Sequence, residues 1–196
     1  VEAGRPTEIG NLNEVIVSEG QRFNIPTPYN EAVSWLTRGV EERNRQKRYV
    51  AKSSNESKAV RDAIKKEDLA ALRHAIEASP LARALSIQFT KFEAGSATAR
   101  LPGTEQLPNF LGYTHTGALF TLAEQTMAAV ANSLGHVGLP LNCDVQFINA
   151  ADPTKDVIAS GRVIDTQGRI ARVEVELTQD DQTVAEVSEM VFLRKK

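Results

Sequence analysis

Residues 113–135 read YTHTGALFTLAEQTMAAVANSLG. From His115 to Gly135 one Asp, Glu, Lys or Arg occurs, and it is Glu124. The apolar residues keep a helical spacing up to Gly135, so the stretch is predicted to be one long helix. A helix that is apolar nearly all round must be enclosed. A lone carboxylate inside it is either a paired structural charge or a working group.

On both sides of this helix the period becomes strand-like. Upstream, SIQFTKFEAGSATARLP (86–102) alternates through Ile87 and Phe89, then Ala97, Ala99 and Leu101, with Gly95 at a bend. Downstream lie four strand candidates: LPLNCDVQFINA (139–150), DVIASGRVID (156–165), RIARVEVELTQ (169–179) and TVAEVSEMVFLR (183–194). In the third, Ala171, Val173, Val175 and Leu177 alternate with Arg172, Glu174, Glu176 and Thr178. Short turns at 166–168 and 180–182 predict antiparallel hairpins and a meander of the four strands. An antiparallel sheet that curls around one central helix encloses it. The expected class is α+β, the hotdog fold, over residues 67–196.

The first part of the chain is organised differently. Ile9, Leu12, Val15 and Ile16 recur at helical spacing, with Gly20 near the end of the pattern. Pro26 and Pro28 predict an extended link, after which Asn30 caps a second helix carrying Val33, Leu36 and Val40. Residues 1–50 are expected to be a helical segment and 51–66 a linker. A third helix carries Leu69, Leu72, Ile76 and Leu81 inward and ends at Pro80.

The net charge of −2 argues against nucleic acid as a partner. No apolar run approaches the roughly 20 residues that cross a bilayer, so no membrane partner is expected. The first ten residues lack the basic stretch and apolar core of a signal peptide. Cys143 is the one cysteine, so no internal disulfide forms. A reducing, cytoplasmic setting is the expectation. Cys143 itself is read as a small buried residue, while Asp144 and Gln146 are read as facing water. His74, His115 and His136 lack metal-ligand spacing, and no metal or organic cofactor is expected.

Two features carry chemistry. Glu124 is a candidate general base or nucleophile, because an unpaired buried carboxylate is costly and its titration should be perturbed. The THTG run (114–117) precedes the helix, where free backbone N–H groups and the helix dipole can stabilise a developing oxyanion. Gly117 lets a substrate approach the backbone. The plainer role for Thr114 or Thr116 is N-capping. Eight residues of helix separate Thr116 from Glu124, or roughly 12 Å along the axis. One reacting carbonyl must lie about 3 Å from both its donor and its attacking group. If both residues are catalytic, they belong to different protomers, and the active sites lie at a homodimer interface. Phe110, Leu111, Tyr113, Phe120 and Met127 are the residues that would set the size of a pocket there.

PNFLGYTHTGALFTLAEQTMAAVANSLG (108–135) together with the strand pattern of 141–194 resembles the hotdog thioesterases of the phenylacetic acid degradation type. The resemblance implies hydrolysis of an acyl-CoA thioester without metal or cofactor, by a dimer or a dimer of dimers. It implies that Glu124 activates water or attacks the thioester, and that the Thr116 N–H polarises the carbonyl. Asn109 then helps hold the nucleophile or substrate, and His115 lies near the thioester. Asn142 falls where some members place a water-positioning hydroxyl. Phe110, Tyr113 and Gly117 fall to the substrate side. Two positions depart from the family pattern. His-Gly-Gly is His115-Thr116-Gly117 here, and the usual Asp is Glu124, as in the 4-hydroxybenzoyl-CoA branch. The Thr at 116 keeps open a second reading, a non-catalytic acyl or CoA binder. EAGRPTEIGNLNEVIVSEGQRFNIPTPYNEAV (2–33) is similar to the C-terminal end of ketopantoate reductases, where the Glu matching Glu8 lies in the active site. The nucleotide-binding region is absent, so Glu8 is expected to be idle.

Overall fold

The computed structural model describes residues 8–28, 30, 31, 33, 34, 38, 41 and 57–194. The chain divides into two compact units, Val1–Lys58 and Ala59–Lys196. Residues 57–65, inside the expected linker, are helical, and Ala63 and Ile64 are buried.

In the first unit, helix α1 spans Glu8–Arg22. It passes through Gly20, where a Cβ would stand 2.6 Å from the Thr27 side chain and 2.7 Å from the Ile25 carbonyl oxygen. Glycine is what allows the chain to fold back after α1 at this point. Helical backbone resumes at Pro28, two residues before the expected cap Asn30, and the Thr27 carbonyl accepts from Glu31 N at 3.0 Å. Proline suits this position, since a first-turn residue needs no N–H. Val15 and Ile16, expected on an apolar face, are 60% and 46% exposed. The side chains of Glu8, Ile9, Leu12, Leu36 and Val40 lie outside the described residues.

The second unit holds helices α2 (Leu69–Glu77), α3 (Pro80–Ala84) and α4 (Thr116–Asn132). Its strands are β1 (Gln88–Glu93), β2 (Ser96–Leu101), β3 (Val137–Phe147), β4 (Val157–Gln167), β5 (Ile170–Gln179) and β6 (Gln182–Arg194). Asp68 caps α2 by accepting from Ala71 N. Pro80 opens α3 rather than ending the previous helix, and Leu81 is exposed, not inward as expected.

All six strands form one antiparallel sheet in the order β1-β2-β4-β5-β6-β3. The expected four-strand meander therefore holds for β4, β5 and β6 only. Strand β3 pairs with β6, and β4 crosses to pair with β2. The turn between β5 and β6 is Asp180-Asp181, both at positive φ (49° and 62°), as a two-residue hairpin loop requires.

Helix α4 lies against the inner face. Leu122, Met127 and Val130 are essentially fully buried there, each stabilising the fold by roughly 1.5–3 kcal/mol. The approach is close. A Cβ on Gly161 would stand 2.8 Å from the Thr126 side chain, and one on Gly138 would stand 2.9 Å from that of Ala131. Inward residues of the strands, including Phe89, Ala99, Leu101, Ala171, Val173 and Leu177, complete the core as their alternation predicts.

The two outer strands end differently. At β1, Glu77 accepts from Phe89 N at 2.9 Å, and Arg73 of the same helix donates to the Phe89 carbonyl. At β3 no further element pairs with the strand among the described residues. Leu139 and Leu141 stay exposed, and so does Cys143, against the expectation of burial.

Candidate active site

Helix α4 begins at Thr116, and its cap is His115, not either threonine. The His115 backbone is extended (φ −61°, ψ 127°), and its Nδ1 accepts from Gly117 N at 2.9 Å. In the neutral ring that bond assigns the hydrogen to Nε2. The His115 carbonyl accepts from Ala118 N at 2.9 Å and from Leu119 N at 3.2 Å. Three of the four first-turn amides are thereby satisfied. The fourth, Thr116 N–H, donates to nothing among the described residues and lies at an exposed position. It is a free donor at the positive end of a 17-residue helix.

The loop before the helix is held by Asn109. Its Oδ1 accepts from Leu111 N at 2.8 Å and Tyr113 N at 3.2 Å, and its own N–H donates to the Tyr113 carbonyl at 2.7 Å. Gly112, at φ +85°, permits the reversal. The Asn109 carboxamide oxygen is thus committed to shaping the loop. Phe110, at the tip, is 94% exposed, and Tyr113 is exposed beside it. Thr114 N donates to the Ala151 carbonyl and His115 N to the Leu107 carbonyl, which fastens the helix start to the body of the unit.

Glu124 is half-buried on α4. Gln125 Nε2 donates to its Oε2 at 2.8 Å, and Ser79 Oγ donates to Gln125 Oε1 at 3.4 Å. Among the described residues no cation pairs with it. The group the electrostatics place near it is another acid, Glu189 on β6. Burial first and the Glu124 charge second raise the Glu189 carboxyl to about 7. Glu189 was not singled out in the sequence, although it interrupts the inward series Val187, Val191 and Leu193. Directly opposite it on β3 stands Cys143, whose thiol is raised by the partial burial of its sulfur and by the charges of Glu189 and Asp144. Asn142 stands opposite Met190, on the other face of the sheet. The strand register therefore brings Cys143 rather than Asn142 to the face that carries α4.

Phe120 is partly exposed on α4, whereas Met127 is fully buried in the core. A concavity of about 530 Å³ lined by Asp144, Arg162, Glu174, Glu176 and Glu186 draws on the outward series of the strands. It belongs to the sheet face away from α4.

A curled antiparallel sheet carrying one long helix on its inner face defines the second unit as a hotdog domain. Residues 111–186 match the thioesterase superfamily, and residues 1–41 match the C-terminal family of ketopantoate reductase. The chain thus resembles the hotdog thioesterases of the phenylacetic acid degradation type, preceded by a segment resembling a ketopantoate reductase end.

Among solved structures, a conserved protein from Pseudomonas aeruginosa is 27% identical, with a TM-score of 0.57 over 61% of this chain and 97% of its own. The PaaI protein from the Escherichia coli phenylacetic acid degradation operon is 21% identical, with a TM-score of 0.62 over 67% of this chain and 96% of its own. A Streptococcus mutans protein solved with acetyl CoA is 22% identical, with a TM-score of 0.54 over 56% of this chain and 90% of its own. The last two likenesses concern the fold alone. No curated protein matches the chain. No described helix is long and apolar enough to cross a membrane.

Proposed function

We propose that the second unit hydrolyses acyl-CoA thioesters to free acid and CoA, as a homodimer with two sites at its interface. The observation that carries this reading is the unpaired Thr116 amide. Among the described residues it is the one first-turn donor of α4 left without an acceptor, and it stands at the helix end where negative charge is favoured. The superfamily match covers the same helix and the strands after it.

Glu124 lies about two helical turns further along α4, too far to act on the same carbonyl within one chain. A second copy resolves the distance. Strand β3 offers it an unpaired edge with exposed apolar side chains, which is where antiparallel pairing adds strands to a sheet. In the dimer, Thr116 N–H of one protomer polarises the thioester carbonyl. Glu124 of the other takes a proton from water, or attacks as nucleophile. The tetrahedral intermediate collapses and expels the CoA thiolate, giving the free acid where water attacked, or an acyl-Glu124 anhydride that water then hydrolyses where the carboxylate attacked. The exposed Phe110 and Tyr113 are then placed to contact the acyl group. The His115 Nε2–H is a further donor beside the site. A Thr at 116 preserves the backbone donor and adds a side chain at an exposed position.

Free-thiol release from aromatic and medium-chain acyl-CoAs tests the reading, with Glu124→Ala as control. Wild-type protein is expected to turn over at least one class, and Glu124→Ala to lose most of that activity while keeping its circular dichroism spectrum. Full activity in the variant sinks the assignment of Glu124. Binding without turnover by the wild type supports a non-catalytic acyl-CoA binder instead.

A further inference from the structure

Glu189 is a buried acid that the fold does not need and the chemistry above does not use. It is 7% exposed. Its neighbours in the inward series, Val187 and Val191, are buried apolar residues. No hydrogen bond or ion pair reaches it among the described residues, and burying a carboxylate in that condition is costly.

Its place beside Glu124 follows from the packing of β6 along α4. Leu193 shares a small cavity with Leu134, just past the helix end. Val191 and Ala131 both lie at about 3 Å from where a Cβ on Gly138 would be. Moving from Leu193 to Val191 along the strand therefore moves backwards along the helix. The next inward residue is Glu189, and the matching helical face runs from Ala131 back through Ala128 to Glu124. Among the described residues the other elements around it bring no cation. From β3, Cys143 stands opposite, with Asp144 turned to the outer face. From β5, Val173 stands opposite, with Arg172 and Glu174 turned outward.

We propose that Glu189 is a positioning residue of the thioester site. As the neutral acid behind Glu124 it keeps the pair at one negative charge, and its ionisation closes the site on the alkaline side. This rests on the thioesterase reading. The physical reason is charge. Glu124's one negative charge passes to the oxyanion and then to the departing thiolate, so the reacting groups carry it throughout, and a second carboxylate beside Glu124 repels it and turns the base away from the attacking water. Neutral Glu189 also offers an O–H toward the catalytic carboxylate or a water between them. The position of its titration, at about 7, puts this change within the working range of pH.

The pH profile of kcat/KM on a thioester that the wild type hydrolyses is the test. The wild type is expected to fall about tenfold per pH unit above the Glu189 inflection. Glu189→Gln, which holds the neutral shape at every pH, is expected to move that limb upward by about one unit or more. An unchanged limb in a folded Glu189→Gln protein overturns the proposal. A second measurement does not depend on turnover: thermal midpoints from pH 4 to 9 for wild type and Glu124→Gln. Removing the Glu124 charge is expected to shift the Glu189 titration to lower pH. Superimposable profiles overturn the coupling. A wild type that hydrolyses no acyl-CoA removes the thioesterase reading, while the midpoint shift still decides whether the two acids are coupled.

Discussion

The two edges of the sheet are built in opposite ways. At β1, a glutamate and an arginine on α2 take up the backbone N–H and carbonyl of Phe89, so the edge is closed from within the chain. At β3, no further strand pairs with the backbone edge among the described residues, and Leu139, Leu141 and Phe147 remain exposed along it. An open, apolar edge is normally an aggregation hazard. Where one edge of a sheet is protected and the other is left open, the open one is where the proposed second copy would pair. In this unit the open side also carries Cys143 opposite Glu189, on the face of α4 that bears Glu124.

The largest effect is expected from separating the two halves of the proposed site. Thr116→Pro removes the free amide and little else. Proline is suited to the first helical position, and His115 already has the extended backbone that a following proline demands. We expect kcat to fall by about 10²–10³-fold. Mixing equal amounts of unfolded Thr116→Pro and Glu124→Ala chains and refolding them should restore about a quarter of wild-type activity, because half the dimers then hold one intact site. No recovery would mean that both groups act within one chain, or that no dimer forms.

The buried acid gives the next largest effect. A carboxyl raised from 4.5 to about 7 by folding adds stability that is fully present below pH 4.5 and is lost as pH rises through about 7. Urea unfolding at pH 4 and pH 8 should show the wild type losing about 3 kcal/mol relative to Glu189→Gln over that span. A constant difference between the two proteins would mean that Glu189 titrates alike in the folded and unfolded states.

Two smaller changes sharpen the contrast between the edges. Leu141→Lys puts a charge on the open edge, and should halve the mass seen by light scattering and lower activity about tenfold. Glu77→Ala at the closed edge leaves Phe89 N–H without its acceptor, and should cost about 1 kcal/mol of stability. Mass and kcat should not change. If the closed edge governed association instead, the two outcomes would be exchanged.

Much of this arrangement was legible in the sequence, and the missing part has a common cause. The long helix, the inward strand residues and the exceptional position of Glu124 all follow from local periodicity. Strand order does not. Periodicity says which face a residue takes, but not which strand lies beside it, so β3 was expected next to β4 and Cys143 was expected to be buried. The cap at His115 was missed because a histidine accepting through Nδ1 looks no different in sequence from one that does not. Glu189 was visible as an acid in an inward series. Its meaning depends on β6 running back along α4 towards Glu124, which only the packing reveals. The roles of Asn109 and Asn142 came from resemblance. The fold gives Asn109 a clear local task, and turns Asn142 to the other face.

Pro140 sets a ruler for the junction. It has no N–H to offer, and the β3–β6 register shifts between Pro140 and Asn142. The regular part of the open edge is therefore 142–147, about 20 Å of strand. Partners in an antiparallel ladder share a face of the sheet, so the longest ladder that this stretch can make with its own copy pairs 142 with 146 or 143 with 147. A twofold axis would then pass at Asp144 or at Val145. A proline on an edge strand thus does more than discourage promiscuous pairing: it limits the length, and narrows the midpoint, of the seam along which the two proposed copies would join.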